Sequence, residues 1–112
     1  MKNKKILITG GTGHIGNFLV ERLLDTNYDL YVLSRQMPPH KNINWIKSDL
    51  TDKKELKKNE KLFQNIDILV HLAAFVPKEK NNDFKKNFNV NFFGTINLMK
   101  LLKNLKKTIY IS

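Results

Sequence analysis

Four glycines fall within seven residues in Thr9-Gly10-Gly11-Thr12-Gly13-His14-Ile15-Gly16, and their surroundings leave few folds open. Just before them, residues 4–9 ("KKILIT") form a short run whose apolar core is closed by glycine, the pattern of a buried strand. Just after them, Ile15, Leu19 and Leu23, with Val20 and Leu24 alongside, recur at helical spacing to about Thr26. The glycines are therefore expected in a strand-to-helix turn. In that context Gly10 can supply the tight turn and Gly13 the close backbone approach to a pyrophosphate. Gly16 can let the helix pack tightly on the strand. The N–H groups and positive dipole end of the helix would face the anion. A Walker-type phosphate loop ends in Gly-Lys-Ser/Thr, whereas here the residues are Gly16-Asn17-Phe18, so that reading is excluded. The alternative is a tight turn that holds no ligand.

The rest of the chain alternates in the same way. Strands are expected at residues 29–35, 43–49, 66–74 and 108–112, the fourth strand (66–74) apolar enough for burial on both faces. Helices are expected from a cap at Thr51 or Asp52 to about Asn65, and from about Phe84 to Leu105. Pro77 to Asn82 reads as a polar loop, and Phe84, Phe88 and Phe92 as core. Alternating strands and helices with short connections imply an α/β fold, a Rossmann-type, doubly wound parallel sheet of five strands. Residues 1–112 form one dinucleotide-binding domain in this reading, incomplete after the fifth strand and with no substrate domain.

A formal net charge of +10 raises the question of nucleic acid. Yet 18 of the 20 basic residues are lysines spread along expected helix faces, Arg22 and Arg35 being the exceptions. That distribution points to a solvated surface and argues against a nucleic-acid partner. The absence of cysteine removes disulfides and thiolate metal sites. No apolar run is long enough for a signal peptide or a bilayer span, so a cytoplasmic location without membrane contact is expected. His14, His40 and His71 are scattered, with no acidic residue at ligand spacing, so no metal site is expected.

The stretch from Thr9 to Gly16 resembles the T-G-x-x-G-x-x-G fingerprint of short-chain dehydrogenases/reductases, and most closely their extended branch, the NAD(P)-dependent epimerase/dehydratase family. Four more stretches agree in order. "SDLTD" is similar to the family's Asp-Leu after the third strand, which implies that Asp49 and Leu50 lie at the adenine. "VHLAA" is similar to its His-x-Ala-Ala, which places Leu72, Ala73 and Ala74 beside the cofactor. "NFFGTINLM" resembles its Asn-Val-x-Gly-Thr-x-Asn-Leu helix, with Phe92 replacing valine, and implies proton-relay support by Asn91. "IYIS" resembles the strand that leads into the catalytic serine or threonine. His14 and Ile15 join Gly10, Gly13 and Gly16 as expected cofactor contacts. His71 reads as a packing residue at the strand end.

Binders of NAD usually carry an acidic residue at the end of the second strand. Here Ser34 takes that place and Arg35 follows. A guanidinium suits a 2′-phosphate, so NADP is expected as cofactor, with NAD as the alternative. The family's acid/base pair is Tyr-x-x-x-Lys, and none of Tyr28, Tyr31 and Tyr110 has a lysine four residues on. The resemblance then leaves two options: the N-terminal portion of an enzyme acting on nucleotide-sugars or similar small molecules, or a shortened, non-catalytic dinucleotide-binding sensor. A strand edge left open after the fifth strand invites self-association.

Overall fold

A computed structural model of the 112-residue chain describes residues 3–10, 13–72 and 92–111. The strands are β1 (Lys5–Thr9), β2 (Asp29–Ser34), β3 (Asn44–Lys47), β4 (Ile68–Leu72) and β5 (Lys107–Ile111). The helices are α1 (His14–Leu23), α2 (Lys53–Lys58), α3 (Glu60–Phe63) and α4, which spans 92–101. All strand pairs are parallel, in the order β3-β2-β1-β4-β5. This is the Rossmann-type, doubly wound sheet.

Side-chain alternation along the strands divides the core into two layers. Leu7, Leu33, Ile46 and Leu69 face one way and pack with Leu56, Phe63, Leu98 and Leu102, from α2, α3, α4 and the turn after α4. Ile6, Ile8, Val32, Val70 and Leu72 face the other way, against Val20 of α1. β4 feeds both layers, as its unbroken apolar run requires.

Three expectations change in the structure. The helix after Asp52 is not continuous: it breaks at Asn59, which ends α2 and begins α3. The Asn59 side-chain amide donates to the Glu55 carbonyl at 3.2 Å, the competition with the backbone that makes asparagine a poor interior helix residue. The last helix stops at residue 101, short of Leu105. Beyond it, Asn104 donates to the Gln64 carbonyl at 2.8 Å and the Lys106 N–H to that of Asp67 at 2.8 Å, turning the chain into β5. Phe92 is not core: it is 53% exposed and lies edge-on to Phe93. The buried stripe of α4 is Gly94 and Leu98, one turn apart, continued by Leu102, which puts Phe92 on the opposite side. Residues 84–88 lie outside the described residues.

No helix among the described residues is long and apolar enough to cross a membrane.

Candidate functional site

From β1 the chain winds outward to β2 and β3, then returns to place β4 on the other side of β1. In such sheets the crevice at the carboxyl ends of the two strands flanking the reversal is the binding position. Here those ends are Thr9 of β1 and Leu72 of β4.

Gly10 turns the chain out of β1 at φ +74°, in the left-handed region that favours glycine. A Cβ there would come within 2.3 Å of the Leu72 carbonyl oxygen. Gly10 is thus demanded twice by the protein itself, once by its backbone and once by β4. Gly13 differs. It precedes α1 with extended backbone, and a Cβ on it would meet nothing within 4 Å. Its lack of a side chain serves no described protein contact and keeps open the space before the helix. The N-terminus of α1 has no side-chain cap and no acidic residue in its first turn. Among the described residues, a helix start without a side-chain cap, space beside Gly13 and no carboxylate in the first turn form a cradle suited to a diphosphate. His14 and Ile15 open the helix on its exposed side, Ile15 being 65% exposed although its spacing suggested core. Gly16 is buried, one turn before the buried Val20 of α1.

The ends of β2 and β3 form the second part of the site. The Ser34 hydroxyl donates to the Gln36 carbonyl at 2.7 Å and accepts from the Trp45 indole N–H at 3.0 Å. Arg35 extends into solvent, 81% exposed in its side chain, with its guanidinium 3.8 Å from the Asp49 carboxylate. The other Asp49 oxygen accepts from the Thr51 N–H at 2.9 Å, which fixes the turn after β3. Next to Asp49, the Ser48 hydroxyl is buried without a hydrogen-bond partner among the described residues. Leu50 is half-buried, and its carbonyl oxygen lies 2.7 Å from where a Gly94 Cβ would stand. Gly94 therefore allows α4 to touch the loop that carries Asp49. Ala73, Ala74 and Asn91 lie outside the described residues.

His71 is the residue whose surroundings the sequence did not reveal. It is buried, and both ring nitrogens are engaged. Nδ1 is hydrogen-bonded to the Thr9 hydroxyl, and Nε2 to the Thr95 hydroxyl at 3.1 Å. Burial pushes its pKa below the usual 6.5. The one sequence signal for this role was a histidine inside the apolar run "IDILVHLAA". Among the described residues no group of three or more His, Asp or Glu could hold a metal ion.

The model of the NAD-dependent epimerase/dehydratase family matches residues 6–112. A putative UDP-glucose 4-epimerase of Methanocaldococcus jannaschii is 29% identical over 96% of this chain and 37% of its own length. The chain thus spans little more than a third of that relative. The crystal structure of a short-chain dehydrogenase from Leptospira borgpetersenii with bound NAD+ superposes with a TM-score of 0.73 at 29% identity, covering 91% of this chain and 45% of that one. The Bordetella bronchiseptica enzyme WbmG in complex with NAD and UDP superposes with a TM-score of 0.75 at 27% identity, covering 94% and 36%. Fold, glycine turn and family match agree, and the chain belongs to the NAD-dependent epimerase/dehydratase family.

Proposed function

We propose that this chain binds a nicotinamide dinucleotide across the ends of β1, β2 and β4. The pyrophosphate lies on the open N-terminus of α1, and the adenosine end runs toward Arg35 and Asp49. The observation that carries this is Gly13, a glycine with no neighbour to accommodate among the described residues, set before a helix without a side-chain cap at the strand reversal. The NAD-bound relatives support the same ligand class. Gly10, Gly13, Ile15 and Gly16 shape the cradle, and Leu72 floors it.

The reading favours NADP over NAD because no carboxylate ends β2 and the Arg35 guanidinium is exposed there. Its ion pair with Asp49 is long and solvated, so it costs little to exchange for a 2′-phosphate. NAD is the second reading, favoured by the cofactor found in the relatives.

When bound, the nicotinamide supplies a carbon that accepts or donates hydride; the residues of this chain hold and orient it. A nucleotide-sugar is the proposed substrate class of the whole protein, as the relatives suggest. Chemistry of that kind needs an acid/base pair of the Tyr-x-x-x-Lys type, which these 112 residues do not contain.

Calorimetric titration with NADPH and with NADH tests the reading. NADPH is expected to bind more tightly. Arg35→Ala is expected to weaken NADPH about tenfold to a hundredfold, the worth of hydrogen bonds to a charged group, about 1.5–3 kcal/mol. It leaves NADH nearly unchanged. Equal loss for both ligands overturns the 2′-phosphate assignment, and no heat with either overturns the site.

A further inference from the structure

Thr9, His71 and Tyr110 stand side by side in register on β1, β4 and β5, on the sheet face that α4 covers. The His71 ring bonds Thr9 on one side, lies 5.5 Å from the Tyr110 ring on the other, and meets Thr95 of α4 above. Each neighbour along the chain matters. Gly10 follows Thr9, Leu72 follows His71, and these two successors lie against each other, a Cβ on Gly10 meeting the Leu72 carbonyl oxygen at 2.3 Å. On α4, Gly94 precedes Thr95 and rests on the Leu50 carbonyl, next to Asp49. Two consecutive residues of α4 therefore hold both strand-end segments of the proposed site.

From this arrangement we infer that His71 is a positioning residue, an imidazole brace that sets the Gly10–Leu72 floor against α4 through the Thr9 and Thr95 hydroxyls. A neutral imidazole has one donor and one acceptor nitrogen, and a threonine hydroxyl can serve as either. Both bonds can therefore form together in either tautomer. Thr9 and His71 are 1% and 7% exposed, so water does not readily replace a lost partner. The brace makes the floor of the crevice depend on a hydroxyl that does not itself belong to the glycine turn or the strand ends. The inference rests on the dinucleotide reading for its functional meaning, but the brace has a signature without ligand.

Thr95→Val removes the hydroxyl and keeps the shape, whereas Thr95→Ser keeps the hydroxyl. In the ligand-free chain, amide hydrogen exchange by NMR is expected to quicken about tenfold at Gly10 and Leu72 in Thr95→Val and to stay native in Thr95→Ser. With NADPH, Thr95→Val is expected to weaken binding several-fold, and Thr95→Ser to restore it. If Thr95→Val does not fold, His71→Asn, which reproduces the bond to Thr9 and drops the one to Thr95, takes its place. A variant that lowers Tm but leaves the Gly10 and Leu72 amides native shows Thr95 as packing only and overturns the brace. So does a serine variant no better than valine. If the native chain binds no dinucleotide, the proposed function fails, and the exchange experiment still decides whether the brace exists.

Discussion

Gly10 and Gly13 are both glycines of one turn, yet the structure gives them opposite reasons for being so. Gly10→Ala places a Cβ against the Leu72 carbonyl at a positive φ, so it is expected to destabilise the fold by about 3 kcal/mol, strain and overpacking combined. Gly13→Ala enters open space from an ordinary backbone conformation and is expected to change stability by less than about 0.5 kcal/mol. It is expected to weaken NADPH binding at least as much as Arg35→Ala does. Thermal unfolding and calorimetry on the two variants check this contrast.

Among the described residues, Asp67 and His71 have displaced pKa values and contribute to the acid response. The folded chain resists protonation of His71, which faces Thr9, Thr95 and Tyr110 among the described residues. Its folded-state pKa lies below 6.5, so below that pH the unfolded state binds more protons and stability falls. The Lys5 backbone N–H, at 2.9 Å, holds the Asp67 carboxyl below its ordinary 3.8; partial burial opposes this, and the Lys106 ammonium adds to it. Its stabilisation is complete above 3.8 and is lost as the pH falls through the lower folded-state value. Tm against pH should therefore decline in two stages, the first removed by His71→Gln and the second by Asp67→Asn. At this scale the glycines were legible in the sequence because backbone demands are local. The partners of His71 were not, since Thr9 and Thr95 lie 62 and 24 residues away and meet it only through sheet register and helix docking.

Among the elements, strands were easier to read than helices. Glycine, proline and charge close each apolar run, so all five strands stand within a few residues of their expected places. Helix limits depended on single side chains. Asp52 caps α2, its carboxylate accepting from the Glu55 N–H at 3.1 Å. Asp52→Ala is expected to cost about 1 kcal/mol and lower Tm by a few degrees, measurable by circular dichroism. Asn59 and Asn104 stopped or diverted helices through bonds to carbonyls that periodicity does not register. The face of α4 was misjudged for a related reason. Phe92 is large and apolar, but Gly94 decides which side docks, because only a side without a Cβ can reach the Leu50 backbone.

On the scale of the whole molecule, five parallel strands with α1 on one face and α2, α3 and α4 on the other reverse direction of travel between β1 and β4. Everything proposed about ligand binding follows from that reversal and from what stands at its mouth. The topology was legible because alternating strand and helix patterns with short connections admit few windings. The outer edge of β5 has no strand partner among the described residues, and Tyr110 is 62% exposed there. This is the place where the sequence leads one to expect self-association. The direct test of where the ligand lies is an amide-resolved NMR titration of the chain with NADPH. The largest shifts are predicted at Gly10, Gly13, Ile15, Arg35, Asp49 and Leu72, converging on the mouth of the β1–β4 reversal. Saturable binding that instead perturbs the lysine-rich faces of α2 and α4, with the glycine turn unmoved, would contradict the site.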